Sequence, residues 1–216
     1  MRLPVIAAAV LLLITACSRE TGSPAVADAL IAEAADGVVT YPLSLDPACR
    51  DGRARSYDQC SDQFEIYSAA LDKARAENKT LLVIIGAEWC GWCHTFDAHL
   101  KGATGRFDHI TARKRGEVSA GALALVRYVA DNFVVVHIED DFAPGADDVI
   151  RSAGAEAYFQ EYYPTIFAVG PDGKFAAKLD HKLVKIQING LGAYAGYDRA
   201  LVIKELKRLR AAALRT

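Results

Sequence analysis

The chain lacks several features that would assign it to a functional class directly. Its formal net charge is only −2, so no overall basic character indicates nucleic-acid binding. Met1 is its only methionine, which removes methionine as a haem ligand once a leader is cleaved. We find no internal repeat, and the apolar run from Leu3 to Ala16 is too short to span a bilayer comfortably. Hydrophobic residues nevertheless fill 52% of the 216 positions, enough for one full-sized core.

The first residues predict export from the cytoplasm. Met1-Arg2 is a minimal positive region before the apolar run, as in a secretion signal. The segment 14–17, Ile-Thr-Ala-Cys, resembles the lipobox of bacterial lipoproteins, which implies a signal peptide at 1–16 and lipidation of Cys17. Ser18 after it implies an outer-membrane anchor facing the periplasm. The alternative is ordinary signal cleavage nearby, with Cys17 incidental.

The cysteine count agrees with an oxidising compartment. We expect a flexible tether at 17–38, followed by one domain at 39–216 that begins with an extension at 39–60. Cys49 and Cys60 lie in this extension and enclose a polar loop in which Tyr57 is the only large apolar residue. A disulfide between them would add roughly 2–3 kcal/mol of stability. The alternative is a second redox pair that exchanges electrons with the one described next.

Cys90 and Cys93 form the most informative motif in the chain. They are separated by two residues and follow the apolar run Leu81-Leu82-Val83-Ile84-Ile85, where a buried strand should lead into a helix. The spacing allows the two sulfurs to form a disulfide. The N-terminus of a helix offers partial positive charge and free N–H groups, which stabilise a thiolate. The motif therefore predicts dithiol–disulfide chemistry.

Apolar periodicity predicts helices alternating with strands in one α/β domain. The predicted helices begin at a Ser61 cap, at or just after Cys90, at about Ala122, at Asp147 and at about Asp198. The predicted strands are 80–85, 133–138 and a hairpin of 165–169 with 174–179. Lys101 to Ser119 is expected to be an exposed insertion, and the glycine-rich segment 190–196 a flexible connector.

This order of elements, together with the segment 87–93 and Tyr163-Pro164-Thr165, resembles the thioredoxin superfamily. The resemblance implies a thioredoxin-like fold, with a central mixed β-sheet flanked by helices and an insertion after the active-site helix. It makes Cys90 the exposed nucleophile and Cys93 the buried resolving thiol, and it implies a cis peptide bond at Pro164. The expected substrate-binding residues are Trp89, Trp92, Tyr163, Pro164 and Thr165.

Two departures from the family pattern bear on the chemistry. Thioredoxins usually place a buried aspartate six residues before the first cysteine, where this chain has Ile84. Glu88 and His94 are therefore candidates for proton transfer to and from Cys93. Gly91-Trp92 stands between the cysteines where cytosolic reductants typically have Gly-Pro, so the direction of electron flow does not carry over.

Three rival interpretations start from the same residues. Cys90-Gly91-Trp92-Cys93-His94 matches the c-type haem attachment motif. Zinc binding would need the two cysteines with His94 and His99, whereas structural zinc favours two well-separated ligand pairs. The third rival is a protein-binding lipoprotein with a static disulfide.

We predict instead an envelope thiol–disulfide oxidoreductase, more a reductase or isomerase than an oxidase. It would have no cofactor or metal, and its partners would be protein thiols and disulfides and a redox recycling partner.

Overall fold

A computed structural model describes residues 24–103, 115–159, 162–187 and 194–216. The helices are α1 (Pro24–Asp36), α2 (Gln63–Ala76), α3 (Gly91–Leu100), α4 (Arg115–Asn132), α5 (Ala146–Ala153), α6 (His181–Val184) and α7 (Arg199–Ala213). The strands are β1 (Thr40–Tyr41), β2 (Thr80–Gly86), β3 (Phe133–Glu139), β4 (Thr165–Val169), β5 (Phe175–Lys178), β6 (Lys185–Gln187) and β7 (Tyr194–Tyr197).

Strands β1 to β5 form one mixed sheet in the order β1-β3-β2-β4-β5. β2 and β3 are parallel and lie at its centre, where both faces are covered, which is why their sequences are almost continuously apolar. β4 is antiparallel to β2, and β5 is antiparallel to β4. The central mixed sheet flanked by helices is the predicted fold class.

Alternate residues of β2 point into two separate cores. Leu81, Val83 and Ile85 pack with residues of α2 and α5 on one face of the sheet. Leu82 and Ile84 face the other side, among residues of α3, α4 and α7. The helix that carries the two cysteines is therefore fixed against the second core, with its first turn at the carboxyl end of β2.

The structure corrects the predicted tether. Residues 24–36 form α1, which packs on α4, and Ile31 in it is 7% exposed. The segment is rich in alanine, the best helix former, so the composition that we assigned to a tether also favours a helix once an apolar contact holds it. Residues 17–23 of the predicted tether, which include Cys17, and the signal peptide lie outside the described residues.

Several smaller expectations also change. The cap of α2 is Asp62, whose carboxylate accepts the N–H groups of Phe64 and Glu65, and not Ser61. The segment expected to be a flexible connector contributes β7, which pairs with β6 in a second small sheet. Most of the predicted insertion after α3, residues 104–114, lies outside the described residues. No helix in the described ranges combines the length and apolar character needed to cross a membrane.

Candidate active site

The two cysteines form a disulfide at the start of α3. Cys90 is the N-cap residue, and its Cα lies 5.3 Å from that of Cys93. The Cys93 amide donates a hydrogen bond of 3.1 Å to the Cys90 sulfur. Cys90 is thus the sulfur that faces the free N–H groups and positive end of the helix, where a thiolate is stabilised when the pair is reduced.

Cys90 is more buried than the resemblance implied. Cys93 is fully buried, as predicted, but Cys90 retains only 4% of its accessible surface and is not an exposed residue. The order is still the expected one, because Cys90 alone of the two reaches solvent. The reason for the low exposure is a segment from the N-terminal extension that packs over the pair.

The aromatic surface beside the disulfide involves Trp89 and Tyr163. Trp89 is 65% exposed, and its indole N–H donates to the Asp141 carboxylate at 2.8 Å. Its ring centroid is 5.7 Å from that of Tyr163, whose hydroxyl donates to Asp140 at 2.9 Å. Burial, aided by the Asp140 carboxylate, raises the pKa of the Tyr163 hydroxyl. Tyr163 therefore stays protonated and keeps this hydrogen bond at neutral pH.

The remaining predicted binding residues surround the pair at different depths. The Tyr163–Pro164 peptide bond is cis, as the resemblance implied. Pro164 is buried, and Thr165 is 2% exposed with its hydroxyl donating to the Tyr162 carbonyl. Trp92 packs against the two cysteines and, on its other side, against the Tyr197 ring of β7 at 5.4 Å. Only Trp89 of this group presents a largely exposed side chain.

Residues 63–101 match the sequence model of a protein family described as thioredoxin-like. The domain has a thioredoxin-like fold. The match covers α2, β2, the cysteine pair and α3, whereas the cis-proline that agrees with it lies farther along the chain. No curated protein matches the sequence.

Glu88 and His94 are the predicted proton-transfer residues of this thioredoxin-like domain. In the structure they contact each other, and Glu88 holds a loop of the N-terminal extension. The Glu88 carboxylate accepts the backbone N–H groups of Arg55, Ser56 and Tyr57 at 3.0, 3.2 and 3.1 Å. The His94 Nε2 atom lies 2.5 Å from the Glu88 carbonyl oxygen and 3.3 Å from its carboxylate. Glu88 therefore clamps a loop of the extension onto the site, and a haem attached at this motif would have to displace His94 from it.

That loop is closed by the predicted Cys49–Cys60 disulfide, whose Cα atoms are 5.9 Å apart. It inserts Tyr57, which is fully buried, against both Cys90 and Cys93. Sequence analysis did not identify Tyr57 as a site residue. One feature of the sequence could have indicated it: Tyr57 is the only large apolar residue in a polar loop, and burying its ring requires a contact with the rest of the domain.

A buried polar cluster lies behind the pair, one strand away from the position that carries an aspartate in thioredoxins. Ile84 occupies that position, and its partner across the parallel ladder is His137 of β3. His137 is fully buried, and its Nε2 atom is 3.4 Å from the Asp97 carboxylate of α3. Asp97 also accepts from Ser56 at 3.1 Å and from Lys101 at 3.0 Å.

The charges of this cluster follow from its burial. Loss of hydration lowers the pKa of His137 to about 4, so its ring is neutral at pH 7. Burial alone would raise the pKa of Asp97, but its neighbours His137, Lys101 and Ser56 outweigh that effect and lower it. Asp97 is therefore ionised at pH 7. Neither His137 ring nitrogen makes a hydrogen bond to any part of the chain that the structure describes.

The described ranges contain no group of three or more histidine, cysteine or acidic side chains placed so that they could hold a metal ion. The two histidines of the candidate zinc site, His94 and His99, have separate contacts. His99 is fully buried, with its Nδ1 atom 2.8 Å from the Thr95 carbonyl, whereas His94 contacts Glu88.

Proposed function

We propose that the protein is a thiol–disulfide oxidoreductase that acts on protein or small-molecule disulfides through Cys90 and Cys93. The observation that carries this proposal is the position of the pair. Cys90 caps a helix that follows a central strand, accepts an amide hydrogen bond, and is the one residue of the pair that is not fully buried. These conditions favour a thiolate at Cys90 and shield Cys93 until a mixed disulfide forms.

The chemistry proceeds in two exchanges. The Cys90 thiolate attacks one sulfur of a substrate disulfide, forming a mixed disulfide and releasing the first substrate thiolate. Cys93 then attacks the Cys90 sulfur, which restores the Cys90–Cys93 disulfide and releases the second substrate thiolate. The substrate gains two electrons and, after protonation, two protons, so a recycling partner must return two electrons to the enzyme. The same steps in reverse oxidise a dithiol.

Substitution of each cysteine tests the mechanism. Cys90→Ser should abolish disulfide reduction, and Cys93→Ser should leave the first exchange intact and accumulate mixed disulfides with substrates. The control is a Cys49→Ala/Cys60→Ala variant, which should still turn over. Full activity of Cys90→Ser would refute the assignment. Activity lost only in the control would transfer the redox role to the second pair.

A redox titration determines the direction of electron flow, which we propose to be reduction or isomerisation. Trp89 and Trp92 are the only tryptophans, and both flank the pair, so their fluorescence should report its state. A potential near about −270 mV would identify a reductase and one near about −120 mV a disulfide donor.

A static, protein-binding role is the second candidate. The 4% exposure of Cys90 and the 65% exposure of Trp89 favour it, since they describe a covered disulfide beside an open aromatic surface. In that case the titration should show no reversible transition across the stated range, and mild reductants should leave the pair intact.

We also propose that the protein works at the periplasmic face of the envelope, anchored through Cys17 in the outer membrane. The Cys49–Cys60 disulfide supports an oxidising compartment. Metabolic labelling with a radioactive fatty acid should mark the wild-type protein but not Cys17→Ala. Equal labelling of both would exclude Cys17 as the anchor.

A further inference from the structure

The hydroxyl group of Tyr57 is buried beside Cys93 without a hydrogen bond. Tyr57 is fully buried, and its oxygen has no partner in the described part of the chain. A Cβ placed on Gly86 would lie 2.6 Å from the Cys93 sulfur and 2.8 Å from this oxygen, so the two atoms border the same small space. Tyr57 packs against Cys90 as well.

An unpartnered buried hydroxyl destabilises a fold, and a phenylalanine would fill the same space without that cost. The structure holds the pair as a disulfide, whose sulfurs are weak acceptors. Reduction turns Cys93 into a thiol or thiolate, and a thiolate is a much stronger acceptor because it carries a full charge. The hydroxyl therefore acquires a suitable partner only in the reduced protein.

We infer that the Tyr57 hydroxyl donates a hydrogen bond to the Cys93 thiolate and promotes the second exchange of the proposed reaction. In that exchange Cys93 loses its proton and forms a bond to the Cys90 sulfur while the bond from Cys90 to the substrate breaks. The departing substrate sulfur takes the electron pair and finally the proton. Tyr57 stabilises the charge on Cys93 without giving up its own proton. This inference rests on the proposed function.

The surroundings of Tyr57 make it a donor and not a base. Burial raises its pKa well above 10, and the Asp97 carboxylate acts in the same direction. Six titratable side chains face it from the elements packed around it: Glu88 from the β2–α3 turn, His94 and Asp97 from α3, His137 and Glu139 from β3, and Tyr197 from β7. His137 is neutral and Asp97 is ionised at pH 7, so the negative charge of Asp97 opposes a second anion at Cys93. A hydrogen bond from Tyr57 offsets that opposition.

The N-terminal extension fixes the position of the hydroxyl. The Cys49–Cys60 disulfide closes the loop, and the Glu88 carboxylate accepts the Tyr57 amide. The Tyr57 ring centroid lies 4.9 Å from that of His137 in an edge-to-face arrangement. Tyr57 thus supplies, from outside the central sheet, a polar group at the resolving cysteine, where Ile84 offers none.

The test compares Tyr57→Phe with Tyr67→Phe. Both remove one buried hydroxyl, but that of Tyr67 donates to the Gly173 carbonyl at 2.8 Å, away from the pair. In a Cys90→Ser background, the pKa of Cys93 is read from thiolate ultraviolet absorbance. Tyr57→Phe should raise it by about one to two units, the effect of one charged hydrogen bond. Tyr67→Phe should leave it unchanged.

The disulfide equilibrium gives a second readout with Cys90 present. Losing the donor disfavours the reduced form, so Tyr57→Phe should shift the exchange with glutathione about tenfold toward the disulfide, or about 30 mV more negative. Because the hydroxyl is unpartnered in the oxidised protein, oxidised Tyr57→Phe should melt at or above the wild-type temperature.

An unchanged Cys93 pKa in Tyr57→Phe overturns the inference, and so does an equal rise in Tyr67→Phe. An oxidised Tyr57→Phe that melts well below wild type also overturns it, because the hydroxyl would then have a partner in the disulfide form. The pKa measurement needs no substrate. If wild type fails to turn over but the Cys93 pKa shifts as expected, the proposed function fails while the hydrogen bond is confirmed.

Discussion

Replacing Gly86 by alanine adds one methyl group in the space between the Cys93 sulfur and the Tyr57 ring. The new Cβ would stand 2.6 Å from that sulfur, 2.8 Å from the Tyr57 oxygen and 3.1 Å from the ring carbon that bears it. Neither neighbour can withdraw easily, since both are fully buried and Cys93 is held by its disulfide. The atoms must shift into a core that is already packed.

The expected cost follows from two opposing effects. Overpacking of a core costs about 1–3 kcal/mol. Alanine recovers about 0.4–1 kcal/mol by restricting the unfolded chain. The net loss should be about 1–2 kcal/mol, which lowers the melting temperature of a domain of this size by about 2–8 °C.

Gly121→Ala is the matched control. Gly121 lies inside α4, and among the described residues a Cβ there would meet the Arg199 Cδ atom at an ordinary 3.7 Å. Glycine in a helix costs roughly 0.5–1 kcal/mol relative to alanine. Gly121→Ala should therefore raise the melting temperature by about 1–4 °C, opposite in sign to the first substitution.

Thermal melts of the oxidised proteins, followed by circular dichroism, measure both effects. A double-mutant cycle adds the contribution of Tyr57, because Gly86→Ala should cost less in a Tyr57→Phe background, where one of the close contacts is gone. A melting temperature for Gly86→Ala at or above wild type would refute the reasoning, since Cys93 and Tyr57 could not then both border this position.

Two further predictions concern the polar cluster and the extension. Unfolded histidine binds a proton below about pH 6.5, whereas buried His137 stays neutral down to about pH 4. Stability should therefore fall by up to about 3 kcal/mol as the pH drops through that window, and His137→Phe should remove this loss in urea titrations; an unchanged pH profile in the variant would contradict the burial argument. Cys49→Ala/Cys60→Ala should lower the free energy of unfolding by roughly 2–3 kcal/mol, because the bond closes a loop between residues 11 apart. It should also expose Cys90, so faster alkylation of the reduced pair is expected, and an unchanged alkylation rate would show that the loop does not cover the site.

Local patterns predicted most of the fold. The unbroken apolar runs of β2 and β3 identify strands with both faces buried, and both appear at the centre of the sheet. The turn Pro171-Asp172-Gly173 indicated the β4–β5 hairpin, which the structure confirms. The sequence predicts β6 and β7 less clearly, because strands of only three and four residues show almost no periodicity of apolar residues.

The candidate site likewise contains residues that local sequence predicts and a residue that only the fold brings there. Only two residues separate Cys90 from Cys93 at the first turn of α3, so spacing alone places their sulfurs together. Tyr57 is more than thirty positions away and reaches the pair only because the Glu88 carboxylate and a disulfide hold its loop there. No local pattern encodes that contact.

The sequence by itself determined the cysteine pair, the strand before it and the helix after it, since short-range spacing and apolar periodicity are properties of neighbouring residues. Only the tertiary structure decided that Cys90 is covered, that a tyrosine hydroxyl borders Cys93, and that His137 stands beside Ile84. Each of these depends on strand register or loop closure between distant segments. There the free energy of burying side chains from several elements, and not the preference of any one segment, sets the outcome.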